Sequence, residues 1–99
     1  MYYTYVLLSK KDKNFYIGHT SDLRKRFKEH ADGKTKSTKP RRPFDLVYYE
    51  ACSNLIDAIR REKFLKTGPG GRYLKKRLKY FLKDSNSPKI SKNKIIRLM

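Results

Sequence analysis

Apolar and polar positions change period along this chain, and the changes mark its elements. Tyr3 to Leu8 is aromatic, β-branched and aliphatic, which predicts a strand. Lys10-Lys11-Asp12-Lys13-Asn14 is polar and turn-like, and Phe15-Tyr16-Ile17 predicts a second short strand ended by Gly18. Together they make an antiparallel hairpin. Leu23, Phe27 and Ala31 then recur at helical spacing. With Thr20 or Ser21 as cap, Asp22 in the first turn and Gly33 as the stop, a helix is expected from Ser21 to Ala31. Asp32 to Pro43 reads as a loop, punctuated by Pro40 and Pro43. Phe44 to Ala51 is a third strand. Ser53 or Asn54 caps a second helix to Lys66, with Leu55, Ala58, Ile59 and Leu65 as its apolar stripe. Thr67 to Gly71 is a Gly/Pro break. Arg72 to Lys83 is a third helix, with Leu74, Leu78, Phe81 and Leu82 inward and Lys75, Lys76, Lys79 and Lys83 outward. From Asp84 the chain is a basic tail rich in Ser, Asn and Lys, read as partly disordered, although Ile90, Ile95, Ile96 and Leu98 could dock a short element.

This order predicts an α/β chain of the α+β kind: a small three-stranded antiparallel sheet flanked by about three helices. Ninety-nine residues allow one domain, expected over 1–83, with the tail at 84–99.

Charge changes the picture most. Lys and Arg total 26 against nine Asp and Glu, a formal net charge of +17. Such a field is not needed for folding and costs stability by self-repulsion, so the expected partner is a polyanion, nucleic acid first. The loop cations Lys34, Lys36, Lys39, Arg41 and Arg42 read either as a solvated loop or as phosphate contacts. Arg72, Lys75, Lys76 and Lys79 form a second candidate nucleic-acid surface. The single Cys52 cannot form an internal disulfide; with no signal peptide, a reducing cytoplasmic setting is expected. No stretch is long enough to span a bilayer, and no membrane partner is expected: an anionic membrane surface or the ribosome stands as the lesser reading of the charge behind nucleic acid.

Candidate chemistry is sparse. Glu62 falls on the apolar stripe of its helix, three residues after Ile59. Buried there, a carboxylate needs a partner: either a nearby Lys or Arg, or a hard divalent cation such as Mg²⁺. Arg26 and His30 are four apart, on one helical face flanking Phe27. Arg suits a phosphate by its fork geometry, and His can donate to a phosphate or relay a proton. Either alone reads as an exposed helical side chain. Tyr5 and Tyr16 lie on the two hairpin strands, where packing is the ordinary reading. Gly68-Pro69-Gly70-Gly71 lacks the Lys-Ser or Lys-Thr of a P-loop and reads as an interhelical turn. Cys52, His19 and His30 have no zinc-ligand spacing.

Tyr3-Thr4-Tyr5, then Tyr16-Ile17-Gly18, then Leu23-Arg24-Lys25-Arg26-Phe27 with His30, resembles the GIY-YIG nuclease family, and within it the small stand-alone UvrC-like endonucleases. The likeness covers Tyr2 to Leu82. Tyr3 and Thr4 depart from the first motif, leaving Tyr5, and no clear counterpart of the family's downstream Asn is present. His19 stands where the repair subunit has a Lys. Glu62 falls where the family keeps its metal-binding glutamate. The resemblance implies a divalent-metal-dependent endonuclease using Mg²⁺ or Mn²⁺ on Glu62, with Tyr5, Tyr16, Arg26, His30 and Glu62 catalytic. Tyr5 would be the base and Tyr16 the orienter of water and phosphate. His19 would contact nucleic acid. DNA is expected ahead of RNA, in a repair or recombination setting and with a structure-specific substrate, by a monomer or weak dimer. The alternative is a basic module that binds nucleic acid without cutting it.

Overall fold

The computed structural model describes residues 1–85. The expectations for the tail beyond residue 85 lie outside the described residues. The chain divides into two compact units, Met1–Lys63 and a second that starts at Phe64.

The first unit is built on three antiparallel strands, β1 (Tyr2–Ser9), β2 (Phe15–Thr20) and β3 (Phe44–Cys52), in the order β2-β1-β3. The hairpin register runs from Tyr3 opposite Thr20 to Leu8 opposite Phe15, and places Tyr5 opposite Gly18. β1 pairs with β3 from Tyr2–Cys52 to Ser9–Phe44, with an irregularity between Val6 and Leu7. β1 is central and its residues from Thr4 to Ser9 are all buried, which fits its unbroken apolar run. Gly18 does not end β2 as the sequence suggests: pairing continues through His19 and Thr20, because a glycine under a neighbour's ring can stay in the ladder.

Helix α1 (Leu23–Ala31) begins two residues later than expected. Its cap is Asp22, whose carboxylate accepts from the Lys25 amide, while Thr20 bonds the Asp22 amide just outside. Gly33 follows at φ +76°, the left-handed stop the sequence signals. Tyr5, Leu7 and Phe44 form a buried cluster on which Leu23, Phe27, Tyr16 and Leu46 pack. On the other face of β1, the Thr4 hydroxyl donates to the carbonyl of Ala58 on α2 (Leu55–Leu65) at 2.9 Å. Successive strand residues point to opposite faces, so Thr4 addresses α2 while Tyr5 addresses α1. Leu55, expected inward, is 39% exposed, and only Ala58 of the predicted stripe within this unit is fully buried.

The 32–43 connection is more ordered than a solvated loop. It contains a short 3-10 turn, Lys39–Arg41. The Ser9 hydroxyl donates to the Arg41 carbonyl at 2.6 Å, and Lys11 Nζ to the Pro40 carbonyl at 3.0 Å. Arg41 clamps the hairpin turn: Nε donates to Asp12 at 2.6 Å and a terminal nitrogen to the carbonyl of Asn14 at 3.2 Å. That contact holds the Asp12 carboxyl down at about 2.

The second unit departs from the elements expected of it. Gly68 to Gly71 is not an interhelical turn but the first turn of α3 (Gly68–Arg77). Thr67 caps it by accepting from the Gly70 amide, and the Pro in the first turn has no intrahelical bond to lose. The expected third helix is two, α3 and α4 (Lys79–Ser85), separated at Leu78. Leu65, Leu74 and Leu78 are buried here. Gly70 is where the last turn of α2 and the first of α3 touch: a Cβ there would fall 1.9 Å from the Phe64 carbonyl oxygen.

Two neighbouring glycines give an internally controlled test by thermal or urea denaturation. Gly70→Ala is expected to destabilise by about 1–3 kcal/mol, as overpacking against backbone does. Gly71→Ala, whose Cβ would meet nothing within 4 Å, is expected to gain up to about 1 kcal/mol from helix propensity. Equal effects would mean that the α2–α3 approach is not as close as described.

Candidate active site

Of the five side chains singled out as catalytic, Tyr5, Arg26 and His30 meet at one hydroxyl, and Tyr16 packs against the His30 ring beside them. Tyr5, on central strand β1, is 1% exposed. Its ring lies across Gly18, whose Cβ, if present, would stand 2.5 Å from the hydroxyl oxygen. No larger residue fits at position 18 while Tyr5 keeps this pose, which is the physical reason for the Gly in Tyr16-Ile17-Gly18. The Tyr5 oxygen contacts His30 Nε2 at 2.8 Å and accepts from Arg26 Nε at 3.4 Å. Tyr16 packs edge-on against His30, with centroids 5.1 Å apart, and lies 6.5 Å from the Tyr5 ring.

His30 lies deeper than its helical spacing suggests. It is fully buried, not at the edge of the core. Both ring nitrogens are occupied: Nε2 by Tyr5 and Nδ1 by the Thr38 hydroxyl at 2.8 Å. Burial and the Arg26 cation push its pKa down to about 4, so the imidazole is neutral near pH 7. It cannot reach a phosphate from here without leaving both partners. Burial likewise raises the Tyr5 pKa; the Arg26 hydrogen bond opposes this, and the charges of Tyr16 and Glu62 add to it. Arg26 is half-buried, and its guanidinium also donates to Glu29 at 3.1 Å.

Glu62 is reached from the other side of the sheet. It projects from α2, and its Oε1 lies 2.7 Å from His19 Nδ1, with the carboxylate side chain 16% exposed. His19 directly follows Gly18 on β2, an edge strand. The phenol of Tyr5 and the carboxylate of Glu62 therefore address adjacent residues of one edge strand from opposite faces.

Among the described residues no three His, Cys, Asp or Glu side chains group as a metal cage. A hard divalent cation does not need one. Mg²⁺ commonly takes one or two carboxylates and keeps several waters. A single partly exposed Glu62 carboxylate fits that demand and does not fit a closed zinc site.

The candidate nucleic-acid contacts separate into two kinds. Arg41 is committed to Asp12 and the hairpin carbonyls. Arg42 donates to the Lys39 carbonyl at 3.1 Å and lies against Gly33. Lys34, Lys36 and Lys39, on the same connection, are exposed, as are Arg24 and Lys25 at the start of α1. Arg72, Lys75, Lys76 and Lys79 belong to the second unit and are exposed along α3 and α4. Sequence reasoning missed Thr38, which is fully buried. Its only signal was a threonine eight residues past His30, in a stretch read as solvated.

The folded His30 imidazole stays neutral down to about pH 4, whereas an unfolded histidine protonates below about 6.5. Between those values the unfolded chain binds more protons, so stability rises with pH across the window and is lost as pH falls through it. Urea midpoints measured from pH 7 to 4 should decline, with the His30 share up to about 3 kcal/mol. The decline should be shallower in His30→Gln. An equally steep decline in that variant would show that His30 is not held neutral by burial.

A family model described as the GIY-YIG catalytic domain matches residues 1–70. The UPF0213 protein YazA of Bacillus subtilis is 46% identical over 57 residues, covering 57% of this chain and 58% of YazA. A UPF0213 protein of Staphylococcus haemolyticus is 42% identical over 67 residues, covering 67% of this chain and 80% of that protein. A solution NMR structure of a UPF0213 protein of Bacillus halodurans is 34% identical and covers 90% of this chain and 89% of that one, with a TM-score of 0.41. The UPF0213 names state no activity.

Proposed function

The chain belongs to the GIY-YIG family of nuclease catalytic domains, and from that premise we propose that it is a divalent-metal-dependent endonuclease acting on DNA. The observation that carries this reading is the convergence of Tyr5, Arg26 and His30 on one buried hydroxyl, with Tyr16 packed on His30 and Glu62 meeting the adjacent strand residue His19 from the other face. Packing alone would not need a buried phenol shared by a guanidinium and an imidazole.

In this reading Glu62 would hold Mg²⁺ or Mn²⁺, and His19 orients the carboxylate. When bound, the ion supplies Lewis-acid polarisation of a phosphate oxygen. Arg26, permanently charged, stabilises the negative charge that builds on the phosphate. Tyr16, half-buried beside His30, orients the attacking water. Tyr5 is the base, but its raised pKa keeps it a phenol at rest. It therefore takes the water proton as it hands its own to His30 Nε2, 2.8 Å away. The water oxygen bonds to phosphorus, the bond to the leaving nucleotide oxygen breaks, and that oxygen is protonated from solvent. His30 is neutral and so has a free lone pair to accept with, while its burial makes it a weak base that holds the proton only transiently before it passes on.

Lys34, Lys36 and Lys39 would neutralise backbone phosphates, while Arg41 and Arg42 hold the connection that presents them. No base-reading helix is evident in the sequence, so selectivity for DNA shape, in a repair or recombination setting, is the reading we favour. Among the described residues no helix is long and apolar enough to cross a membrane.

Purified protein incubated with flap, nicked and branched DNA tests the central reading. Cutting is expected with Mg²⁺ or Mn²⁺ and none with EDTA, and Glu62→Gln should lower it by at least a hundredfold while DNA binding persists. Salt-sensitive binding without cutting under either metal would leave a basic binding module. A separate measurement addresses the lysines. Replacing Lys34, Lys36 and Lys39 by Gln should weaken binding to all sequences alike and flatten the log K against log salt slope by about 2–3. An unchanged slope would place the phosphates elsewhere.

A further inference from the structure

The hydrogen-bond directions at the site are determined by counting donors and acceptors. Thr38 Oγ1 donates to the carbonyl of Thr35 at 3.4 Å, which uses its one hydrogen. The 2.8 Å contact between Thr38 Oγ1 and His30 Nδ1 is then open to donation by the ring, and the Tyr5 side of the ring decides the direction. A neutral imidazole with its proton on Nδ1 presents a lone pair at Nε2. The Tyr5 hydroxyl, 2.8 Å away, donates to that lone pair, and its oxygen accepts from Arg26 Nε at 3.4 Å. Every member is satisfied: Arg26 to Tyr5, Tyr5 to His30, His30 to Thr38, Thr38 to Thr35. The opposite tautomer puts two donors, His30 Nε2–H and Arg26 Nε–H, on the Tyr5 oxygen. It leaves the buried Tyr5 hydrogen with neither of its two partners as an acceptor, which is costly.

We propose that Thr38 is a positioning residue of the active site, which holds the His30 proton on Nδ1 and so turns the Tyr5 hydroxyl hydrogen toward Nε2. Thr38 touches neither Tyr5 nor Arg26 through any of these bonds; it acts through His30. It is fully buried, and the segment that carries it is fastened on both sides. The Thr38 and Lys39 amides donate to the Thr35 carbonyl at 3.1 and 2.9 Å. Beyond it, Arg41 is tied to Ser9, Asp12 and Asn14. Support of this kind is what keeps a tautomer-setting group in register. The connection between α1 and β3 is thus both the carrier of the exposed lysines and the part that orients the proton acceptor. The catalytic consequence rests on the nuclease reading above; the tautomer does not.

The test uses the full chain and Thr38→Val, Thr38→Ser and wild type. Long-range 1H–15N correlation of the histidine rings reports which nitrogen bears the proton, with no need for cutting. His30 protonated on Nδ1 is expected in wild type and in Thr38→Ser, with the Val variant shifting toward the Nε2–H form or a mixture. Wild-type His30 protonated on Nε2 would overturn the proposal, and so would an unchanged ratio in Thr38→Val. If the Val variant fails to fold, as its amide spectrum will tell, the wild-type and Ser assignments still decide. On any DNA that wild type cuts, kcat should fall tenfold or more in Thr38→Val with KM within twofold, and recover in Thr38→Ser. An unchanged kcat in a folded Val variant would refute the positioning role. Failure of wild type to cut would bear on the nuclease reading, leaving the tautomer result to stand or fall by itself.

Discussion

A phenol hydroxyl placed inside a small core is the constraint on which the rest of this structure depends. Tyr5 is on the central strand and almost wholly buried, so its oxygen and hydrogen must both find partners within the protein. That requirement explains several features at once. Gly18 opposite must lack a side chain, because the hydroxyl occupies that space. His30 must turn inward from α1, although a histidine on a basic helix would ordinarily face water. Thr38 must in turn satisfy the far side of His30, and this draws the 32–43 connection down onto the sheet. One buried polar atom thereby links the hairpin, the first helix and the basic connection.

The same economy appears in the use of positive charge. With 26 cations and nine anions, most cations have no protein carboxylate to meet. The arginines of the 32–43 connection take the partners that exist: Arg41 uses its fork on Asp12 and neighbouring carbonyls, and Arg42 caps carbonyls of Lys39 and Ala31. The lysines of that connection remain exposed. The division follows from the side chains themselves, since a planar fork can satisfy several acceptors at once and an ammonium is better solvated. It leaves a fixed framework beneath an exposed cationic surface suited to a polyanion.

Much of this was legible in the sequence, for identifiable reasons. β1, β3 and the first two helices are legible through their apolar runs and period, although the first helix is capped by Asp22 rather than by Thr20 or Ser21. The second strand was cut short at Gly18, since a glycine that accommodates a cross-strand ring is indistinguishable in sequence from one that ends a strand. The Gly/Pro run at 68–71 has the composition of a turn, although Thr67 capping and a first-turn proline are compatible with a helix. Its glycine-rich composition reflects close approach at Gly70 instead. At the site, Arg26, His30 and Glu62 stood out by type and spacing, while their meeting with Tyr5 depended on strand register. Thr38 was invisible, because its role depends on a chain reversal that no local pattern encodes. The burial of His30 was likewise set by a partner far off in sequence, Tyr5, 25 residues away.

The central claim is that Glu62 and the Tyr5–His30 network, which approach β2 from opposite faces, serve one site. Paramagnetic broadening by substoichiometric Mn²⁺ in 1H–15N spectra measures this most directly. Broadening is expected to centre on Glu62 and His19 and to extend through Gly18 to the Tyr5, Tyr16 and Arg26 signals, and to vanish in Glu62→Gln. Broadening centred on other carboxylates, with Gly18 and Tyr5 untouched, would contradict the account.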